Sequence, residues 1–144
     1  MIKVVIDTNT LISAMGWKDS KPRKIMDGCL YKKWILVESM DLLKEFIKVI
    51  QRPKFDFISE EDKKEFLINL MNIYEFVEPK KKLELIKDDP DDNIVLECAL
   101  EGNVDYIISG DEHLLELKKF ENIRIVSAND FLKIIDNYNS EKID

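Results

Sequence analysis

A chain of 144 residues, 45% hydrophobic and 35% charged, has the length and composition of one folded domain able to bury a sizeable core. Its net charge of −7 counts at first sight against a nucleic-acid partner. Much of the excess acid, however, is packed into Asp88-Asp89-Pro90-Asp91-Asp92, and a cluster that binds divalent cations inverts its own local charge. No apolar run approaches the roughly 20 residues that cross a bilayer, and Val4–Ile6, ending at Asp7, is too short for a signal-peptide core. The two cysteines, Cys29 and Cys98, match no metal-ligand spacing and lie in apolar-patterned segments. They read as buried free thiols of a cytoplasmic, reducing setting.

Val4-Val5-Ile6 is a short β-branched run, as expected of a strand buried on both faces of a parallel sheet. It stops abruptly at Asp7, and a helical pattern from about Asn9 to Met15 follows. A basic loop over residues 16–24 contains Lys18, Lys21, Arg23 and Lys24; Ser20 is a cap and Pro22 lies in the first turn of a helix reaching about Leu30. Trp34-Ile35-Leu36-Val37 reads as a second strand. Ser39 then caps a helix with Leu42, Leu43, Phe46, Ile47 and Ile50 at helical spacing, ended by Arg52-Pro53.

Ser59-Glu60-Glu61-Asp62 opens a further helix, and Tyr74-Glu75-Phe76-Val77 is a short strand. A helix from Asp89 carries Ile94, Val95, Cys98 and Ala99, with Gly102 as its stop. Tyr106-Ile107-Ile108 is a buried strand ending in Ser109-Gly110-Asp111; a helix through Leu114 and Leu117 and a strand at Ile123–Val126 follow. Ser127-Ala128-Asn129-Asp130 opens the last helix. Strands alternating with helices call for an α/β fold with a mainly parallel sheet covered on both faces. The expected division is one domain over residues 1–136 and a polar, frayed tail over 137–144.

Each acid of interest has an ordinary explanation. Asp7 and Asp111 can cap the helices that follow their strands, and Asp89 can cap the helix that begins at Pro90. Asp92 then stands third in that helix, where an acid suits the orphan amides and the dipole. Glu45 borders the apolar face of its helix, where side chains are more often solvated. The coincidence is harder to dismiss. In a parallel sheet the ends of these strands and the starts of these helices share one edge, where ligands of open α/β folds gather. Carboxylates packed there repel one another, and Mg²⁺ or Mn²⁺, which seek oxygen ligands, remove that cost.

Four pieces in this order carry a resemblance: Val4-Val5-Ile6-Asp7-Thr8-Asn9; the acid Glu45; Asp89 through Ala99; and Tyr106 through Leu115. Over about Met1 to Asp136 the chain resembles PIN-domain ribonucleases, most of all the prokaryotic group regarded as toxin components of toxin–antitoxin pairs. The resemblance implies a single-domain, three-layer α/β fold and a metal-dependent endoribonuclease. Asp7, Glu45, Asp92 and Asp111 are then the metal-binding acids, with Asn9 and Ser109 orienting carboxylates and Asp89 an outer acid. It also implies an RNA substrate, a small antitoxin partner and a capacity to form homodimers. The expected chemistry is metal-assisted hydrolysis leaving 5′-phosphate and 3′-hydroxyl ends, with no protein nucleophile. His113 is then a surface residue beside Asp111 rather than a general base. The basic loop residues can steer phosphates, although such loops are commonly just solvated.

Two rivals remain at this level. A haloacid-dehalogenase-type phosphatase would use Asp7 as nucleophile but needs a second Asp where Asn9 stands, and Glu116 poorly matches its further acid. A PIN-fold module that binds RNA or protein with little catalysis has no need to keep mutually repelling acids.

Overall fold

The computed structural model describes residues 1–86 and 90–143, the last three as backbone. Six strands, β1 (Lys3–Ile6), β2 (Ile35–Ser39), β3 (Glu75–Val77), β4 (Tyr106–Ile108), β5 (Lys119–Phe120) and β6 (Ile123–Val126), form one sheet in the order β3-β2-β1-β4-β6-β5. All neighbours run parallel except β5 and β6. The helices are α1 (Thr8–Gly16), α2 (Lys21–Leu30), α3 (Met40–Ile50), α4 (Glu60–Ile73), α5 (Pro90–Gly102), α6 (Glu112–Leu117) and α7 (Ala128–Ile143).

The central strands bury both faces, so their side chains alternate between two cores. Val4, Ile6, Leu36, Ile108 and Val126 face one core, with Leu11, Met26, Phe46, Leu70 and Phe131 from α1, α2, α3, α4 and α7. Val5, Val37, Ile107 and Ile125 face the other, with Leu96 of α5 and Leu114 of α6. Helix starts follow the expected chemistry: Ser20, Ser39 and Ser59 each accept from a backbone N–H three residues on. In α2, Gly28 serves packing, since a Cβ there would sit 1.9 Å from the Trp34 indole. That indole donates to the Ile25 carbonyl at 2.9 Å.

Some local expectations shift. Gly102 is the last residue of α5, and the left-handed position after it belongs to Asn103, with φ 49°. Gly102 is small for another reason: a Cβ would meet Val37 Cγ1 at 2.6 Å. The stretch after α3 contains a short 3-10 helix, Pro53–Phe55, and β5 adds an antiparallel edge strand. The last helix continues through Ile143, beyond the position where a tail was expected. The expected cap at Asp89 lies outside the described residues.

One topological fact positions the site. From β1 the chain builds outward to β2 and β3, then returns to place β4 on the other side of β1. The direction of winding reverses between β1 and β4. Connections diverge there and leave a crevice at the carboxyl edge.

Candidate metal centre

Asp7 follows β1 and Asp111 follows β4, so the two acids flank that crevice. The register pairs Ile6 with Ile108, and the Asp7 N–H donates to the Ile108 carbonyl at 3.1 Å. Asp7 caps α1: its Oδ1 accepts from Thr10 N at 2.9 Å, while its Oδ2 accepts from the Ser109 hydroxyl. Ser109 Oγ in turn accepts from Asp111 N at 2.9 Å, so one buried hydroxyl ties the two strand ends together. Asp111 caps α6, its Oδ1 accepting from His113 N at 2.8 Å. Both acids are therefore helix caps and members of the cluster at once.

The remaining acids come from two helices. α5 packs against α3, which brings Asp92, third residue of α5, close to Glu45. A cavity of about 190 Å³ is lined by Asp7, Glu45, Asp92 and Asp111 together. Thr8, Asn9, Asp91 and Arg52 complete its polar wall. All four acids singled out in the sequence thus share one cavity. Donor atoms of Asp92, Asp111 and His113 lie within 4.8 Å of one another.

Burial sets the electrostatics. Asp7 is 5% exposed, and desolvation holds its pKa above the usual carboxylate value despite the Ser109 and Thr10 hydrogen bonds; repulsion from Asp111 adds to the rise. Glu38 on β2 is buried, and desolvation, aided by repulsion from Glu45, pushes its pKa up to about 8. Hard carboxylate oxygens converging on a small polar cavity suit Mg²⁺ or Mn²⁺, and a divalent cation there offsets the repulsion. The donor set fits such an ion.

Several details were not legible in the sequence. Thr8 Oγ1 donates to Glu45 Oε2 at 2.8 Å, holding the helix-borne acid against the strand-borne ones. The Asp7-Thr8-Asn9 run was visible, but not which side chain of it would meet α3. Arg52 is the one cation among the described residues lining the acid cavity. It lies outside α3, one residue past the helix's C-cap, where the sequence reads only as the end of a helix. Asn9 stands exposed at the mouth, and among the described residues its side chain makes no hydrogen bond to a carboxylate. Asp89, expected as an outer acid, lies outside the described residues.

An open groove of about 770 Å³ adjoins the cavity and shares Asn9 and Asp111 with it. Of the basic loop residues, Lys21 alone lines this groove, its ammonium donating to Asn129. Arg23 instead pairs with Asp27 at 3.5 Å and donates to the Ala14 carbonyl at 3.2 Å. The four basic residues do not form one steering patch.

A three-layer α/β domain with an acid-lined cavity at its switch point is the class that fold and site define. The family model for the PIN domain matches residues 3–113, and the chain belongs to the PIN-domain family. The phosphatase reading of Asp7 falls with that assignment. Over 135 residues the chain is 31% identical to an uncharacterized protein of Methanocaldococcus jannaschii, covering 92% of this chain and 85% of that protein. It is also similar in fold to a chain of VapBC2 from Rickettsia felis, crystallised with a DNA fragment from its promoter. The match has a TM-score of 0.60 over 86% of this chain and 97% of that one, at 15% identity.

Proposed function

We propose that this protein is a Mg²⁺- or Mn²⁺-dependent endoribonuclease, acting as the toxin of a toxin–antitoxin pair. The observation that carries the reading is the convergence of Asp7, Glu45, Asp92 and Asp111, from four separate elements, on one cavity at the switch point. PIN-domain membership and the fold likeness to VapBC2 support it. The separate, buried thiols of Cys29 and Cys98 agree with a reducing cytoplasmic setting, and no helix among the described residues is long and apolar enough to cross a membrane.

When bound, the divalent ion supplies an activated water and Lewis-acid stabilisation of the phosphoryl oxygens. The protein's part is to hold the acids in place: Ser109 orients Asp7, Thr8 orients Glu45, and the α6 cap orients Asp111. Arg52 offers a phosphodiester a cationic fork at the rim of an otherwise acidic cavity. The adjoining groove, with Lys21 and Asn129 on its wall, has room for the strand on one side of the scissile bond. The antitoxin is a small protein partner, and homodimers are compatible with the fold.

The test is cleavage of RNA by purified protein with Mg²⁺ or Mn²⁺. EDTA is expected to abolish cleavage, and the products are expected to carry 5′-phosphate and 3′-hydroxyl ends. Cleavage that persists in EDTA, with the Asp7→Asn variant equally active, overturns the metal reading.

A further inference from the structure

His113 lines the open groove that adjoins the acid cavity, and the two share Asp111. His113 occupies the second position of α6, and its backbone N–H donates to Asp111 Oδ1 at 2.8 Å, so the carboxylate that caps the helix also anchors this residue. The imidazole Nδ1 lies 4.0 Å from the same oxygen. One donor atom each from Asp92, Asp111 and His113 falls within 4.8 Å of the other two. Ligands on opposite sides of a small divalent ion are about 4.2 Å apart and adjacent ones about 3 Å. A spread of up to 4.8 Å is close to these spacings, and the exposed imidazole has freedom to rotate toward the two carboxylates. Asp92 is buried and supplies a fixed wall, while the His113 side chain is 50% exposed and can turn without disturbing the core.

We infer that His113 is a nitrogen ligand to the ion held by Asp92 and Asp111, so that the centre favours a first-row transition ion such as Mn²⁺ over Mg²⁺. Imidazole binds transition ions in preference to Mg²⁺, whose usual ligands are oxygens. The inference rests on the metal-binding reading of the acids; its competitor is a histidine that merely sits beside Asp111 on the surface.

The chain contains a single histidine, which makes a spectroscopic test unambiguous. Untagged wild type and His113→Gln are loaded with Mn²⁺ and examined by pulsed electron paramagnetic resonance, and Mn²⁺ and Mg²⁺ affinities are measured by titration. Wild type is expected to show ¹⁴N modulation from an imidazole, absent in His113→Gln. The substitution is expected to weaken Mn²⁺ binding by about tenfold or more while leaving Mg²⁺ binding within about twofold. Bound Mn²⁺ without nitrogen modulation, or modulation that survives in His113→Gln, overturns the ligand role of His113 and leaves the acid site standing. Failure of wild type to bind Mn²⁺ at all overturns both.

Discussion

Asp7 caps α1 and lines the acid cavity with the same carboxylate, and the two roles respond differently to substitution. Asn caps as well as Asp, so Asp7→Asn removes charge and keeps the cap. The raised pKa of Asp7 means that its ionised form is disfavoured in the folded state, and stability is lost as pH rises through the folded value. Asp7→Asn is therefore expected to raise the melting midpoint of metal-free protein near pH 7 by a few degrees, about 1 kcal/mol, while cutting cleavage at least about 10³-fold. Calorimetry with and without EDTA, beside a cleavage assay, checks both. Glu38 makes the pH argument larger. Its pKa of about 8 lies above the ordinary 4.5, so its contribution to stability is full below the lower value and lost as pH rises toward the upper. The loss runs at about 1.4 kcal/mol per pH unit across that window. Glu38→Gln is expected to be clearly more stable than wild type at pH 8 and to lose that advantage near pH 4.5. Urea denaturation of metal-free protein at the two pH values measures the difference. Glu38 also follows a strand pattern, but its depth and its proximity to Glu45 cannot be read from Val37-Glu38-Ser39, because both depend on how α3 and α5 pack against β2.

Helix α2 shows what a single element demands. Gly28 costs about 1 kcal/mol relative to Ala in a helix interior, yet the Trp34 indole occupies the space a Cβ would take. The indole stacks edge-on against Phe131, with ring centroids 5.2 Å apart, and Phe131 packs against Tyr106 at 5.5 Å. Gly28→Ala must therefore displace Trp34 from its bond to the Ile25 carbonyl and from α7. A net destabilisation of about 1–3 kcal/mol is expected in spite of the better helix propensity, visible as a lowered midpoint and altered Trp34 fluorescence. Strand β5 escaped the sequence reading for a related reason. Its turn to β6 passes through Glu121 at φ 55°, a conformation usually signalled by Gly or Asn at that position, whereas here the Asn is one residue later. Helix starts were far more legible, since Ser20, Ser39 and Ser59 cap through local chemistry that needs no distant partner.

Across the molecule, four acids from distant parts of the chain line one cavity, and the proposed metal centre requires them to act as a unit. If Asp92 and Asp111 serve one centre, the double Asn variant should lose little more activity than either single variant, because groups that act as a unit are strongly non-additive. If they are merely independent caps, each substitution should alter stability alone, and the effects should add. Cleavage kinetics and melting of the two single variants and the double variant separate the outcomes. Additive stability losses with unchanged cleavage would show two acids that serve only their helix starts, rather than a catalytic centre.

The alternation of strands and helices, the two-faced burial of the central strands and most helix caps followed from the sequence alone. Periodicity and capping are local, and each is written within about ten residues. The candidate acids were legible for a mixed reason: Asp7 and Asp111 end strand patterns, Asp92 starts a helix, and a parallel sheet gathers such ends at one edge. Ser109 was already expected to orient a carboxylate and His113 to lie beside Asp111; the tertiary structure decided the geometry by which the acids are held. Ser109 bridging Asp7 and Asp111, Thr8 reaching Glu45, Arg52 lining the cavity and His113 lying within 4.8 Å of the Asp92 and Asp111 donors depend on how α3, α5 and α6 pack. Side-chain contacts between elements many residues apart are set by register and helix rotation, and no local pattern encodes them.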